Sequence, residues 1–71
     1  MTYTVGTKVS SDGFRKCTLL WDKEGFYYVE ATEKASHESA VESMIRRSKR
    51  YPDGQRSNVN RIFKRYCEKY L

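Results

Sequence analysis

The residues of this chain whose type and spacing could do chemistry are its cations, and most of them lie in the last third of the sequence. Nine of the 14 lysines and arginines lie between Met44 and Leu71, against two carboxylates in the same stretch. They are Arg46, Arg47, Lys49, Arg50, Arg56, Arg61, Lys64, Arg65 and Lys69. Residues 1–43 carry more acids than bases, so the formal net charge of +5 is polarised along the chain. A surface of one sign attracts polyanions, and nucleic acid, DNA or RNA, is the first partner that it predicts.

Three interpretations of the cationic set remain open from the sequence. Arginine and lysine beside hydroxyl and amide side chains such as Ser48, Ser57 and Asn58 are the residue types that contact nucleic-acid phosphates. The same cations could instead recognise an acidic protein surface. They could also be a solvated helix face, because cations late in a helix complement its dipole and the side opposite a buried stripe must be polar.

Catalysis is the function class that the sequence supports least. His37 is the single histidine, and the chain has no Gly-rich phosphate loop, nucleophile elbow or paired-carboxylate pattern. Cys17 and Cys67 lack metal-ligand spacing, and one histidine does not complete a four-ligand zinc site with them. We therefore expect a protein that is not an enzyme and that uses no cofactor or metal. Both cysteines are expected in the core, with a disulfide between them as the alternative.

The size and composition predict a single small α+β domain over residues 1–71. A content of 38% hydrophobic and 14% aromatic residues indicates a globular chain despite its 32% charged residues. No apolar stretch approaches the roughly 18–20 residues needed to cross a bilayer, and the amino terminus lacks the apolar segment of a secretory signal. We expect a cytoplasmic protein that does not contact membranes.

Three segments alternate in the manner of β-strands. They cover residues 3–9, 14–21 and 26–31, and two four-residue turns that end in Gly13 and Gly25 separate them. With these loops Val9 pairs with Phe14 and Trp21 pairs with Phe26. The core face then carries Tyr3, Val5, Val9, Phe14, Thr18, Leu20, Tyr27, Val29 and Ala31.

Two helical patterns follow the strands. Ser36 is a suitable N-cap for a helix from His37 to Arg50, with Ala40, Val41, Met44 and Ile45 on one side. Ser57 or Asn58 can cap a second helix. Its apolar stripe consists of Val59, Ile62, Phe63, Tyr66, Cys67 and Tyr70. The predicted fold is therefore α+β: a three-stranded antiparallel meander followed by two helices packed on one face.

The second predicted hairpin is apolar on the face that should be exposed, which makes it a second candidate site. Its residues are Arg15, Leu19, Trp21, Phe26 and Tyr28. They could form a protein interface or a homodimer contact, where Trp, Tyr and Arg are common anchors. They could also stack on the bases of a single strand, or be core under a shifted register.

The predicted arrangement over residues 3–50, three antiparallel strands and a helix with a basic, aromatic sheet, resembles the sheet-reading DNA-binding modules of some phage-type integrases. No motif of that family maps residue by residue. The size is also similar to that of small phage-encoded accessory proteins that bind and redirect a host factor. We expect a nucleic-acid-binding accessory or regulatory protein, with a phage-type protein that inhibits or redirects an acidic host protein as the alternative.

Overall fold

Four strands form an antiparallel sheet in the order of the sequence, and one helix covers one of its faces. The computed structural model describes residues 2–38 and 41–71. The strands are β1 (Thr2–Val9), β2 (Arg15–Asp22), β3 (Phe26–Lys34), β4 (Glu42–Arg47) and a two-residue β5 (Tyr51–Pro52). A 3-10 turn (Asp53–Gln55) leads into the helix α1 (Arg56–Tyr70). We call the sheet face opposite α1 the open face.

The register of the β2–β3 hairpin differs from the prediction by one residue. Trp21 pairs with Tyr27 rather than with Phe26. The turn closes tightly because the Asp22 carboxylate accepts the backbone N–H groups of both Glu24 (2.9 Å) and Phe26 (3.2 Å), and Gly25 takes the positive φ of 87° that the turn needs.

A slip of one residue exchanges the faces of a strand, because successive side chains point to opposite sides. The helix side of β2 therefore carries Cys17, Leu19 and Trp21, whereas Leu20 and Thr18, which were predicted as core, lie on the open face. The predicted core positions of β3 are confirmed, since Tyr27, Val29 and Ala31 are buried. In β1 a bulge between Thr4 and Gly6 leaves Val5 and Val9, also predicted as core, 40% and 57% exposed.

The predicted first helix, from His37 to Arg50, is wrong, and the fold has four main strands with one helix instead of three strands with two. Residues 42–47 form β4, which pairs antiparallel with residues 30–34 of β3. Without β4, the backbone N–H and C=O groups along that edge of β3 would be unpaired. The free energy gained by pairing them outweighs the weak local preference of residues 42–47 for a helix. Ala40, a predicted core position of that helix, lies outside the described residues.

The helix α1 is the confirmed part of the helical prediction. Val59 has no exposed surface, and it packs with Leu19, Tyr27 and Val29 in the core cluster. Ile62, Phe63 and Tyr66 pack against this cluster. The helix begins at Arg56, so the predicted caps Ser57 and Asn58 lie inside its first turn. Among the residues that the structure describes, no helix is both long and apolar enough to cross a membrane.

Candidate functional site

The nine cations of the last third are divided between two sides of the sheet. In β4, Arg46 pairs with Ala31 on the α1 side, whereas Arg47 pairs with Glu30 on the open face. Arg47 forms an ion pair with the Glu30 carboxylate at 3.3 Å. Strand alternation thus gives these two neighbouring arginines different partners, although both residues border the groove between α1 and the chain from β4 to β5.

Arg50 also belongs to the open face, where carboxylates surround it. Its guanidinium lies 2.7 Å from Asp22 and 3.2 Å from Glu24, and 4.5 Å from the centroid of the Phe26 ring. Desolvation by burial raises the pKa of Asp22, but the N–H of Phe26 and the Arg50 guanidinium outweigh it and hold that pKa below its ordinary value of 3.8. Arg47 and Arg50 therefore have intramolecular partners for their charge.

A groove of about 380 Å³ lies between α1 and the chain from β4 to β5. No aspartate or glutamate is part of its lining, which consists of Arg46, Arg47, Ser48, Lys49, Tyr51, Ile62, Arg65 and Tyr66. Of these, Arg47 is the cation whose charge is already paired, with Glu30. We call it the basic groove. Tyr51 and Tyr66 pack against the core cluster, so its aromatic wall is held by the core. Sequence reasoning assigned Tyr66 only to the buried stripe. Tyr66 lies four residues after the apolar Ile62 and directly after the exposed Arg65. This spacing is the sequence signal that Tyr66 lies at the edge of the buried stripe, beside the cations.

Three cations of α1 continue the basic groove along the helix surface. Arg61, Arg65 and Lys69 are spaced four residues apart, which aligns them along one side of the helix, and all three are exposed. Within the described ranges, none of the three has a carboxylate within 4 Å of its charged atoms. This row therefore presents unneutralised charge to solvent.

The other two helix cations lie elsewhere. Arg56 covers the ring of Tyr27, with 4.8 Å between the guanidinium carbon and the ring centroid, and donates a hydrogen bond to the Tyr27 hydroxyl at 3.1 Å. Lys64 lines a second groove of about 420 Å³, between α1 and β1, together with Lys8 and Cys67. Lys64 is thus on the β1 side of the helix, and Arg56 is bonded to Tyr27 at the start of the helix.

Ser48 fixes the chain segment that carries Lys49. Its Oγ accepts the backbone N–H of Val29 at 2.8 Å, and its own backbone N–H donates to the Val29 carbonyl oxygen at 2.8 Å. The hydroxyl donates in turn to the Lys49 carbonyl oxygen at 2.9 Å. Because Val29 is fully buried, these bonds define where the chain leaves the sheet edge between β4 and β5.

The aromatic hairpin does not form one surface. Leu19 is 3% exposed in the core, and Trp21 packs against the same cluster, with a buried Nε1 that has no partner among the described residues. Phe26 and Tyr28 lie on the open face. Arg15 is on the α1 side, 3.6 Å from Glu33. An interface or homodimer contact through this hairpin stays a prediction, and only Phe26 and Tyr28 share an accessible face for it.

The side chains considered for catalysis are separate from one another. His37 is exposed, with its ring 4.2 Å from that of Phe14. Cys17 and Cys67 are free, and burial raises the pKa of the Cys17 thiol to about 11, with the Cys67 thiol adding to the increase. Residues 2–38 and 41–71 contain no group of three or more His, Cys, Asp or Glu side chains that could hold a metal ion.

Comparison with protein-family models, with curated proteins and with solved structures gives no match to this chain. The function is therefore inferred from the surface of the protein alone.

Proposed function

We propose that this protein binds nucleic acid through the basic groove and its continuation along α1, as an accessory or regulatory protein rather than an enzyme. The contacts to backbone phosphates would come from Arg46, Lys49, Arg61, Arg65 and Lys69. The observation that supports this proposal is that all five lie on one flank of the molecule without a carboxylate among the groove residues. The free cysteines support action in a reducing compartment such as the cytoplasm.

Four of the nine cations are not part of the proposed contact set, because they already have partners within the protein or border the other groove. Arg47 and Arg50 are paired with carboxylates on the open face. Arg56 bonds to Tyr27, and Lys64 borders the other groove. The remaining cations contact phosphates in all sequences alike, so binding should depend little on base sequence.

The salt dependence of binding follows from the number of contacts. Each phosphate neutralised by a cation releases counterions, and the slope of log K against log salt is about −0.9 per contact on duplex DNA and about −0.7 on a single strand. Five contacts therefore predict slopes of about −4.5 and −3.5. On duplex DNA, an increase from about 50 to about 200 mM salt should weaken binding roughly 500-fold.

Fluorescence anisotropy with labelled duplex DNA, single-stranded DNA and single-stranded RNA tests the proposal and separates the three kinds of nucleic acid. We expect binding at low salt that weakens with the slopes given above. Poly-glutamate is the matched polyanion without phosphates. The absence of a complex with any of the three probes at low salt would contradict the proposal. Equally tight binding of poly-glutamate would also contradict it, and would favour an acidic protein partner.

A further inference from the structure

The two cysteines meet where α1 packs on β2, on the side of the helix away from the basic groove. Cys17 faces α1 and has no exposed surface. Cys67 lies in α1, is partly exposed and lines the groove between α1 and β1. Lys8 adjoins both cysteines, since it is the register partner of Cys17 in β1 and lines that same groove with Cys67.

The surroundings give the two thiols different accessibility. Cys17 is enclosed by the sheet and the helix, and burial, with a smaller contribution from Cys67, raises its pKa to about 11. Phe63 lies over Gly6, the register partner of Leu19, and Cys67 follows one helical turn later beside Lys8, the register partner of Cys17. The two thiols are therefore neighbours. Only Cys67 can meet a reagent from solvent, through the groove of about 420 Å³. Two cations, Lys8 and Lys64, line this groove against one carboxylate, Glu68, and this net positive charge favours an anionic reagent.

We propose that Cys67 and Cys17 are a reversible redox pair, in which Cys67 reacts with a small anionic disulfide such as oxidised glutathione and Cys17 then displaces the adduct. Such a pair consists of an accessible attacking thiol and a second thiol behind it that resolves the mixed disulfide. Neither cysteine needs a metal for this chemistry.

The two steps balance in atoms and electrons. In the first step the Cys67 thiolate attacks one sulfur of oxidised glutathione, which forms a mixed disulfide and releases one glutathione thiolate. In the second step the Cys17 thiol loses its proton and attacks Cys67 Sγ, which forms the internal disulfide and releases the second glutathione. The protein dithiol is oxidised by two electrons, and the small disulfide is reduced to two thiols.

The internal disulfide would join β2 to the last turns of α1. It would close a loop that contains most of the chain, and closing a long loop restricts the unfolded state strongly. We therefore expect the oxidised protein to unfold at a temperature higher by about 10 °C or more.

The test uses the full chain in buffers of increasing ratio of oxidised to reduced glutathione, quenched with acid and alkylated. Intact mass and peptide mapping should show an internal Cys17–Cys67 bond without retained glutathione, and thermal unfolding should show the increase in Tm. Reduction should restore both free thiols and the lower Tm.

Two variants separate the roles of the cysteines. Cys17→Ala should stop at the glutathione adduct of Cys67, because the resolving thiol is gone. Cys67→Ser, at a partly exposed position, should remain unmodified, because Cys17 is buried. A wild-type protein that accumulates the Cys67 adduct, forms disulfide-linked dimers or does not react would overturn the proposal. These wild-type results decide the question even if the Cys17 variant fails to fold.

Discussion

Two pairs of cations allow the basic groove to be tested at constant net charge. Arg61 and Arg65 lie on the exposed flank of α1 without carboxylate partners in the described part of the chain. Lys16 and Arg50 are ion-paired on the open face, with Glu42 at 2.9 Å and Asp22 at 2.7 Å, and neither lines the basic groove. The double variants Arg61→Gln/Arg65→Gln and Lys16→Gln/Arg50→Gln each remove two positive charges. A difference between their affinities for nucleic acid must therefore come from the position of the charges.

The expected magnitude follows from counterion release. Removal of two of five phosphate contacts should change the duplex slope from about −4.5 to about −2.7. Between 1 M and about 0.1 M salt, each contact raises log K by close to 0.9. Loss of two contacts therefore lowers log K by about 1.8 at 0.1 M salt, and the Arg61→Gln/Arg65→Gln protein should bind about 60-fold more weakly.

The Lys16→Gln/Arg50→Gln protein should keep the wild-type slope and bind within about threefold of wild type, because both charges are already paired with carboxylates. The remaining long-range effect of a surface charge is screened over about 10 Å at the same salt concentration. Loss of these surface ion pairs should also cost little stability.

The assay is anisotropy of one labelled duplex at several salt concentrations, with thermal unfolding to show that both variants are folded. Equal losses of affinity in the two variants would mean that net charge alone governs binding. A larger loss in the Lys16→Gln/Arg50→Gln protein would mean that the open face is the binding surface. Either result would refute the assignment of the basic groove.

Two further pairs of variants test the sheet, with urea unfolding as the measurement. Leu19→Ala should reduce the free energy of unfolding by about 2–5 kcal/mol, because Leu19 is 3% exposed in the core, whereas Leu20→Ala on the open face should cost about 1 kcal/mol or less. Equal costs would contradict the observed register. Ser48→Ala should cost about 1–3 kcal/mol because it leaves the buried N–H of Val29 without its acceptor, and exposed Ser43→Ala is the control at about 0.5 kcal/mol or less. No difference between the serine variants would show that Val29 finds another acceptor.

The parts of the fold that the sequence predicts are those with a strong local pattern. The stripe that includes Val59, Ile62 and Phe63 has helical spacing over several turns, and in α1 Val59 is buried while Ile62 and Phe63 pack partly buried against the core. The three strands β1 to β3 are separated by turns with glycine at the needed positive φ, 79° at Gly13 and 87° at Gly25. Local signals of this kind act within one element, so they can be seen without knowledge of the partner surface.

The wrong predictions concern residues whose structure is decided by interactions between different strands and turns. Residues 42–47 have apolar positions that fit a helix, but the unpaired edge of β3 decides their structure. In β2, Leu19 and Leu20 are neighbours of the same type, so alternation cannot tell which of them is buried. The Asp22 carboxylate closes the turn by accepting the N–H groups of Glu24 and Phe26, which sets the length of the turn. The length of the turn fixes the register of the hairpin, and the register places Leu19 in the core.

The same interactions between elements determine which cations can meet a ligand. As a strand, β4 sends Arg46 to the α1 side and Arg47 to the open face, and Ser48 then takes the chain out of the sheet at Val29. The chain returns at β5, so Lys49 lies beside Tyr51 at the basic groove, with its Nζ 5.3 Å from the ring centroid.

The position of Lys49 thus depends on buried backbone bonds at Ser48 and on the β5 pairing with β3, rather than on the exposed ion pairs of Arg50. Exposed pairs contribute little to stability, whereas the bonds to Val29 are made at a fully buried residue. Substitution of Arg50 should therefore leave the groove in place. Substitution of Ser48 should displace Lys49 and weaken phosphate binding although Ser48 carries no charge.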